Sequence, residues 1–220
     1  MAKLTKAIAR KVLEVVDAGL CEGMGDPVPG EMCVEAAVCF AMGEPHGDKP
    51  SCVSRAVRSL KITLNDKAWS SNQARAQGMR RLAIAQLGTK DAIDDKEFAK
   101  RCADLAIRKM VPIALRAAAK IQKNAKHRDA LLKAANRCEV EGTKAAAATA
   151  AYAAATATAA TASAAYAAYA ATATAAYAAA ATADAATKDK ILSDFAEDVV
   201  QILIDLKSPG TKWLDLTEAA

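Results

Sequence analysis

The stretch Ala145–Ala183, AAAATAAYAAATATAATASAAYAAYAATATAAYAAAATA, holds only Ala, Thr, Tyr and Ser. Ala is the strongest helix former and nothing in the run breaks the pattern, so it reads as one continuous helix. At about 1.5 Å per residue it would reach roughly 60 Å. Tyr152, Tyr166, Tyr169 and Tyr177 fall within about a third of the helix circumference. Thr161-Ala-Ser163-Ala-Ala-Tyr166 recurs eleven residues later as Thr172-Ala-Thr174-Ala-Ala-Tyr177, a period close to that of a straight helix. The product is a tyrosine ridge on a smooth cylinder, suited to the centre of a bundle or to a seam between two copies. The fold class follows: all-α, a bundle of about seven or eight helices gathered around this rod.

Outward from the rod, the flanking sequence is amphipathic at the helical period. Leu192, Phe195, Val199, Val200, Leu203 and Leu206 mark a last helix, stopped by Lys207-Ser208-Pro209-Gly210, after which Trp213 and Leu214 dock the tail. Toward the N-terminus the spacing predicts helices at about Lys3–Ala18, Glu31–Met42, Ser51–Leu64 and Asn72–Leu87, each bounded by breakers or capping residues. Asp94 and Glu97 form a capping box for the next helix, and Pro112 either kinks it or begins another. The whole, residues 1–220, reads as a single helical domain: amphipathic helices over 1–141, the Ala-rich helix over 142–187, and a closing helix and tail over 188–220.

Composition narrows the function. The rod is long enough to span a bilayer, but frequent Thr and the lack of Leu, Ile, Val and Phe make it a poor hydrocarbon solute, so no membrane is expected. Met1–Arg10 does not read as a signal peptide, and the six cysteines lack the spacing of a disulfide scaffold, which together predict a reduced, cytoplasmic setting. Charge is uneven, acidic over 1–48 and 184–220 and basic over 49–81 and 96–141. The basic stretch with Lys120, Lys123, Lys126, Arg128 and Lys133 has no interleaved aromatic residue, so nucleic acid is not indicated.

The candidate site gathers in the first half. Glu35 sits in a helix apolar on almost every side and therefore needs a cationic or hydrogen-bonding partner. The turn Glu44-Pro45-His46-Gly47-Asp48 brings His46 and Asp48 ahead of a helix on which Arg55 and Arg58 face away from the Val53, Val57, Leu60 and Leu64 stripe, with Lys61 toward one flank. Arg75 projects into the inner arc of Met79, Leu82, Ala83 and Gln86, which makes it either the ion partner of Glu35 or a ligand clamp. Gly78 beside it permits close helix approach or leaves room for a ligand. The ligand-binding set is thus Glu35, His46, Asp48, Arg55, Arg58 and Arg75, for an anionic small molecule such as a nucleotide, with the arginines on phosphate oxygens. No cofactor and no catalysis are required. A first alternative is a protein-binding or self-assembling module, with a homo-oligomer formed through Tyr152, Tyr166, Tyr169 and Tyr177. A second is a metal-assisted hydrolase built on Glu35, His46, Asp48 and Cys52, although no CxxC or HExxH spacing is present.

Four segments carry a resemblance: Cys33-Val-Glu35-Ala-Ala-Val-Cys-Phe, Pro45-His46-Gly47-Asp48-Lys49-Pro50-Ser51-Cys52, Arg58-Ser-Leu-Lys61-Ile-Thr-Leu-Asn65-Asp66 and Trp69-Ser-Ser-Asn72. They resemble an uncharacterised group of bacterial and phage-associated helical proteins, over much of residues 1–110. The Ala/Thr/Tyr run is similar in composition to alanine-rich proteins described as immunity proteins. Neither resemblance carries an established activity or a catalytic residue. The Thr161/Thr172 and Ser163/Thr174 spacing also resembles alanine-rich helical antifreeze proteins, but only two repeats match.

Overall fold

The computed structural model describes residues 4–157 and 185–218. Among the described residues the chain is all-α, with nine α-helices, one π-helical turn and a closing 3₁₀ segment; the only extended pairing is an isolated bridge between Gly25 and Met32. The chain divides into two compact units, Met1–Ala99 with Leu192–Ala220, and Lys100–Ile191, where the sequence reading treats 1–220 as one domain.

In the first unit, α1 (Lys6–Asp17) packs on α2 (Val34–Met42) and α4 (Asn72–Ala85), while α2 also meets α3 (Arg55–Asn65). The start of α5 (Asp95–Leu105), the end of α9 (Ala185–Asp205) and the 3₁₀ segment Pro209–Thr217, which lies on α4 and α1, complete it. Each of the first four helices begins where a side chain accepts a hydrogen bond from an otherwise orphaned N–H. Thr5, Cys33, Ser54 and Ser71 take those of Ile8, Ala36, Val57 and Ala74.

Three helices start later than their spacing predicts, α1 at Lys6 because Thr5 caps it. Residues 31 and 32 belong to the bridged loop, where Asp26 N–H donates to the Glu31 carbonyl and Cys21 N–H to that of Met32, so α2 cannot begin until Val34. Pro50 accepts from Val53 N–H in a turn, which delays α3 to Arg55. Gly78 serves close approach: the Trp69 ring, buried and donating from Nε1 to the Leu64 carbonyl at 3.1 Å, lies where a side chain would stand. A Cβ at position 78 would come within 2.5 Å of that ring and 2.6 Å of Ser193 Oγ. Ala is ordinarily the better helix residue by about 1 kcal/mol, but this overlap outweighs it, because the anchored indole has little room to yield. Gly78→Ala is expected to destabilise by about 1–2 kcal/mol in a thermal melt; a raised melting temperature would contradict the packing.

The second unit is built on small side chains. After the π-turn Ala106–Met110, helix α6 (Val111–Ile121) packs on α7 (Ala125–Glu141), and α8 (Lys144–Ala157) lies on both. Pro112 begins a helix, in its first turn, where the missing N–H is no loss. Ala114, Ala118, Ala134, Ala135, Ala146 and Ala150 are buried, which lets the backbones approach closely. Gly142, left-handed at φ 62, separates α7 from α8, and Arg108 donates to the exposed carbonyls of Glu139, Val140 and Glu141 that end α7. The expected rod is therefore seen as α8 over its first turns; residues 158–183 lie outside the described residues. Among the described residues no helix is long and apolar enough to cross a membrane.

Candidate functional site

The interior of the first unit holds a buried ion pair. Glu35, on the first turn of α2, and Lys61, on α3, are both fully buried, with Lys61 Nζ 3.5 Å from Glu35 Oε1. That distance suits an ion pair but exceeds a good hydrogen bond, and neither carboxylate oxygen nor the ammonium has a hydrogen-bond partner. Burial pushes the Glu35 carboxyl above its usual range and the Lys61 ammonium below its own, and the attraction between the two charges opposes both shifts. The sequence reading pairs Glu35 with Arg75 and puts Lys61 on a flank; in the structure Lys61 is the partner. The signal for it was the register Val57-Lys61-Leu64, four and then three residues apart, which sets the lysine within the apolar stripe.

Arg75 is buried, as its position predicts, and is used to bind backbone. Nε donates to the Asn65 carbonyl at 2.8 Å and Nη1 to that of Leu20 at 2.8 Å and to Asn72 Oδ1 at 3.0 Å, with Nη2 3.5 Å from the Lys67 carbonyl. Asn65 extends this clamp, accepting from Val34 N–H and donating to the Cys21 carbonyl. The guanidinium therefore ties the 19–34 loop to the end of α3 and the start of α4.

The remaining candidates lie nearer the surface. His46 Nε2 is 2.8 Å from the Gly25 carbonyl, and Asp48 forms a half-exposed ion pair with Arg58 at 3.5 Å. Cys52 is buried, and desolvation pushes its thiol up. Among the described residues no group of three or more His, Cys, Asp and Glu is placed to hold a metal ion, so Glu35, His46, Asp48 and Cys52 do not form the metal set of the hydrolase alternative. Tyr152 on α8 is exposed; Tyr166, Tyr169 and Tyr177 lie outside the described residues.

Arg55 and Arg58 meet at a cavity of about 640 Å³. One wall is the segment 49–58 leading into α3, and the other is the segment 90–95 leading into α5. Ser54 N–H donates to Thr89 Oγ1 at 2.9 Å, Lys90 N–H to the Cys52 carbonyl at 3.1 Å, and Ala56 N–H to Asp95 Oδ2 at 3.4 Å. These bonds stitch the walls together. Lys49, Arg55, Arg58 and Lys90 bring cations, and Asp91, Asp94 and Asp95 bring carboxylates. Asp94 is committed to capping α5, accepting from Lys96 and Glu97 N–H. Ser51 is held by Glu44, which accepts from both its N–H and its hydroxyl. Lys49 and Lys90 line the cavity without having been singled out from the sequence; for Lys90 the reason is that only folding brings residues 90–95 alongside the segment leading into α3. Glu35 and Arg75 do not line this cavity. No protein-family model, no curated protein and no solved structure matches the chain.

Proposed function

We propose that this chain is a non-catalytic binding protein for a small anionic, phosphate-bearing ligand, held in the cavity between the segments 49–58 and 90–95. The observation that carries the reading is the state of its cations: among the described residues Lys49, Arg55 and Lys90 have no ion-pair partner, yet all three line one cavity. Its volume lies within the range usual for small-ligand sites. Arg58 is held only by a partly solvated pair with Asp48, which is weak enough to exchange for a phosphate oxygen. Guanidinium forks suit phosphate by geometry as well as charge. All six cysteines are free and five of them are buried, which supports action in a reducing compartment such as the cytoplasm.

The test is calorimetric titration of the full chain with AMP and with ethyl phosphate at low ionic strength. Saturable binding that weakens with added salt is expected. Arg55→Ala is expected to lower affinity about tenfold, the equivalent of one charge-assisted hydrogen bond, with no change in melting temperature because the side chain is exposed. Unaltered binding by this variant, or no saturation by either probe, would remove the cavity as an anion site.

A further inference from the structure

The charges of the cavity are sorted by chain segment. Residues 49–58 supply Lys49, Arg55 and Arg58, whereas residues 90–95 supply Asp91, Asp94 and Asp95 beside Lys90. A ligand carrying only negative charge gains from the first wall and is repelled by the second. Among the carboxylates, Asp94 has its cap to hold, while Asp95 is half-used: Oδ2 accepts one long bond from Ala56 N–H at 3.4 Å, and Oδ1, shielded from solvent, has no hydrogen-bond partner. Buried acceptors are rarely left unpaired in folded proteins, because the group has given up water without replacement. The terminal torsion of Asp is soft, so this carboxylate can turn Oδ1 toward the cavity when a donor arrives there.

Resting on the reading of the cavity as an anion site, we infer that its ligand is zwitterionic: a phosphate monoester that also bears a primary ammonium, with the phosphate on Arg55 and Arg58 and the ammonium donating to Asp95. The ammonium supplies the donor that Oδ1 lacks and cancels the repulsion the second wall would offer to a plain anion. No bond is made or broken in the process.

The experiment compares O-phosphoethanolamine with ethyl phosphate, similar in size and differing chiefly in the amine, by calorimetric titration of the full chain at pH 7.5. The native chain is expected to bind the amine-bearing probe about tenfold more tightly. Asp95→Asn is expected to abolish that preference while leaving ethyl phosphate unaffected or slightly tighter. Equal affinities in the native chain would overturn the inference and leave the anion reading standing. A preference that survives in Asp95→Asn would overturn the role of Asp95. Absence of saturable binding by both probes would overturn the inference together with the reading beneath it. The native-chain comparison decides the matter even if the variant does not fold.

Discussion

Lys61→Met is expected to lower the unfolding free energy by about 3–5 kcal/mol, and Glu35→Leu to do the same, whereas the double replacement is expected to be neutral or more stable by about 1–4 kcal/mol. The asymmetry follows from burial. Both groups are wholly removed from solvent, and neither has a hydrogen bond to share its charge, so deleting one leaves the other stranded at full desolvation cost. Removing both exchanges a marginal attraction for hydrocarbon packing. Linkage gives the same sign. Burial raises the folded-state pKa of Glu35, so its contribution is complete below the ordinary carboxyl value of 4.5 and is lost as pH rises through the folded value. Burial lowers that of Lys61, so its contribution is complete above 10.5 and is lost as pH falls through the folded value. At neutral pH the fold has neither in full, which is why the apolar pair gains. Chemical denaturation of the four proteins at pH 7 checks this; additive single-variant losses in the double variant would show that the two side chains do not interact.

Arg75→Met is the second large effect, with an expected loss of about 3 kcal/mol. Methionine fills much of the side-chain volume but donates nothing, leaving the Leu20, Asn65 and Lys67 carbonyls without the guanidinium. Each buried acceptor so abandoned costs about 1–3 kcal/mol, offset where the surrounding loop can admit water. Arg75→Lys is expected to recover only part, because a single ammonium cannot span three carbonyls held by a planar fork. The loss should appear first as faster amide exchange over residues 19–34, the loop the clamp holds, before global unfolding. Full stability in Arg75→Met would mean that these carbonyls find solvent unaided. This variant also separates fold from site: Arg75 lies outside the 640 Å³ cavity, so ethyl phosphate affinity is expected to persist wherever the variant remains folded.

What the sequence determined by itself is local. The apolar period of α1, the serine cap of α4 and the Asp94 cap of α5 all concern residues within about four positions of one another, where helix geometry leaves little choice; that Pro112 opens α6 rather than kinking a helix, and that Gly142 closes α7 rather than lying inside a helix over 142–187, only the structure shows. The burial of Arg75 was legible for the same reason, since its place in the helical arc sets which way it points. Which group answers a buried charge was decided only by tertiary structure. Glu35 and Lys61 are 26 positions apart in the chain, and the long chain between them passes through two turns whose exits no local pattern specifies. The cavity is likewise made by Thr89, Lys90 and Asp95 meeting Cys52, Ser54 and Ala56. Helix formation reads the spacing of neighbours, whereas a site depends on side chains brought together by packing, and in this chain that packing joins segments the spacing leaves independent.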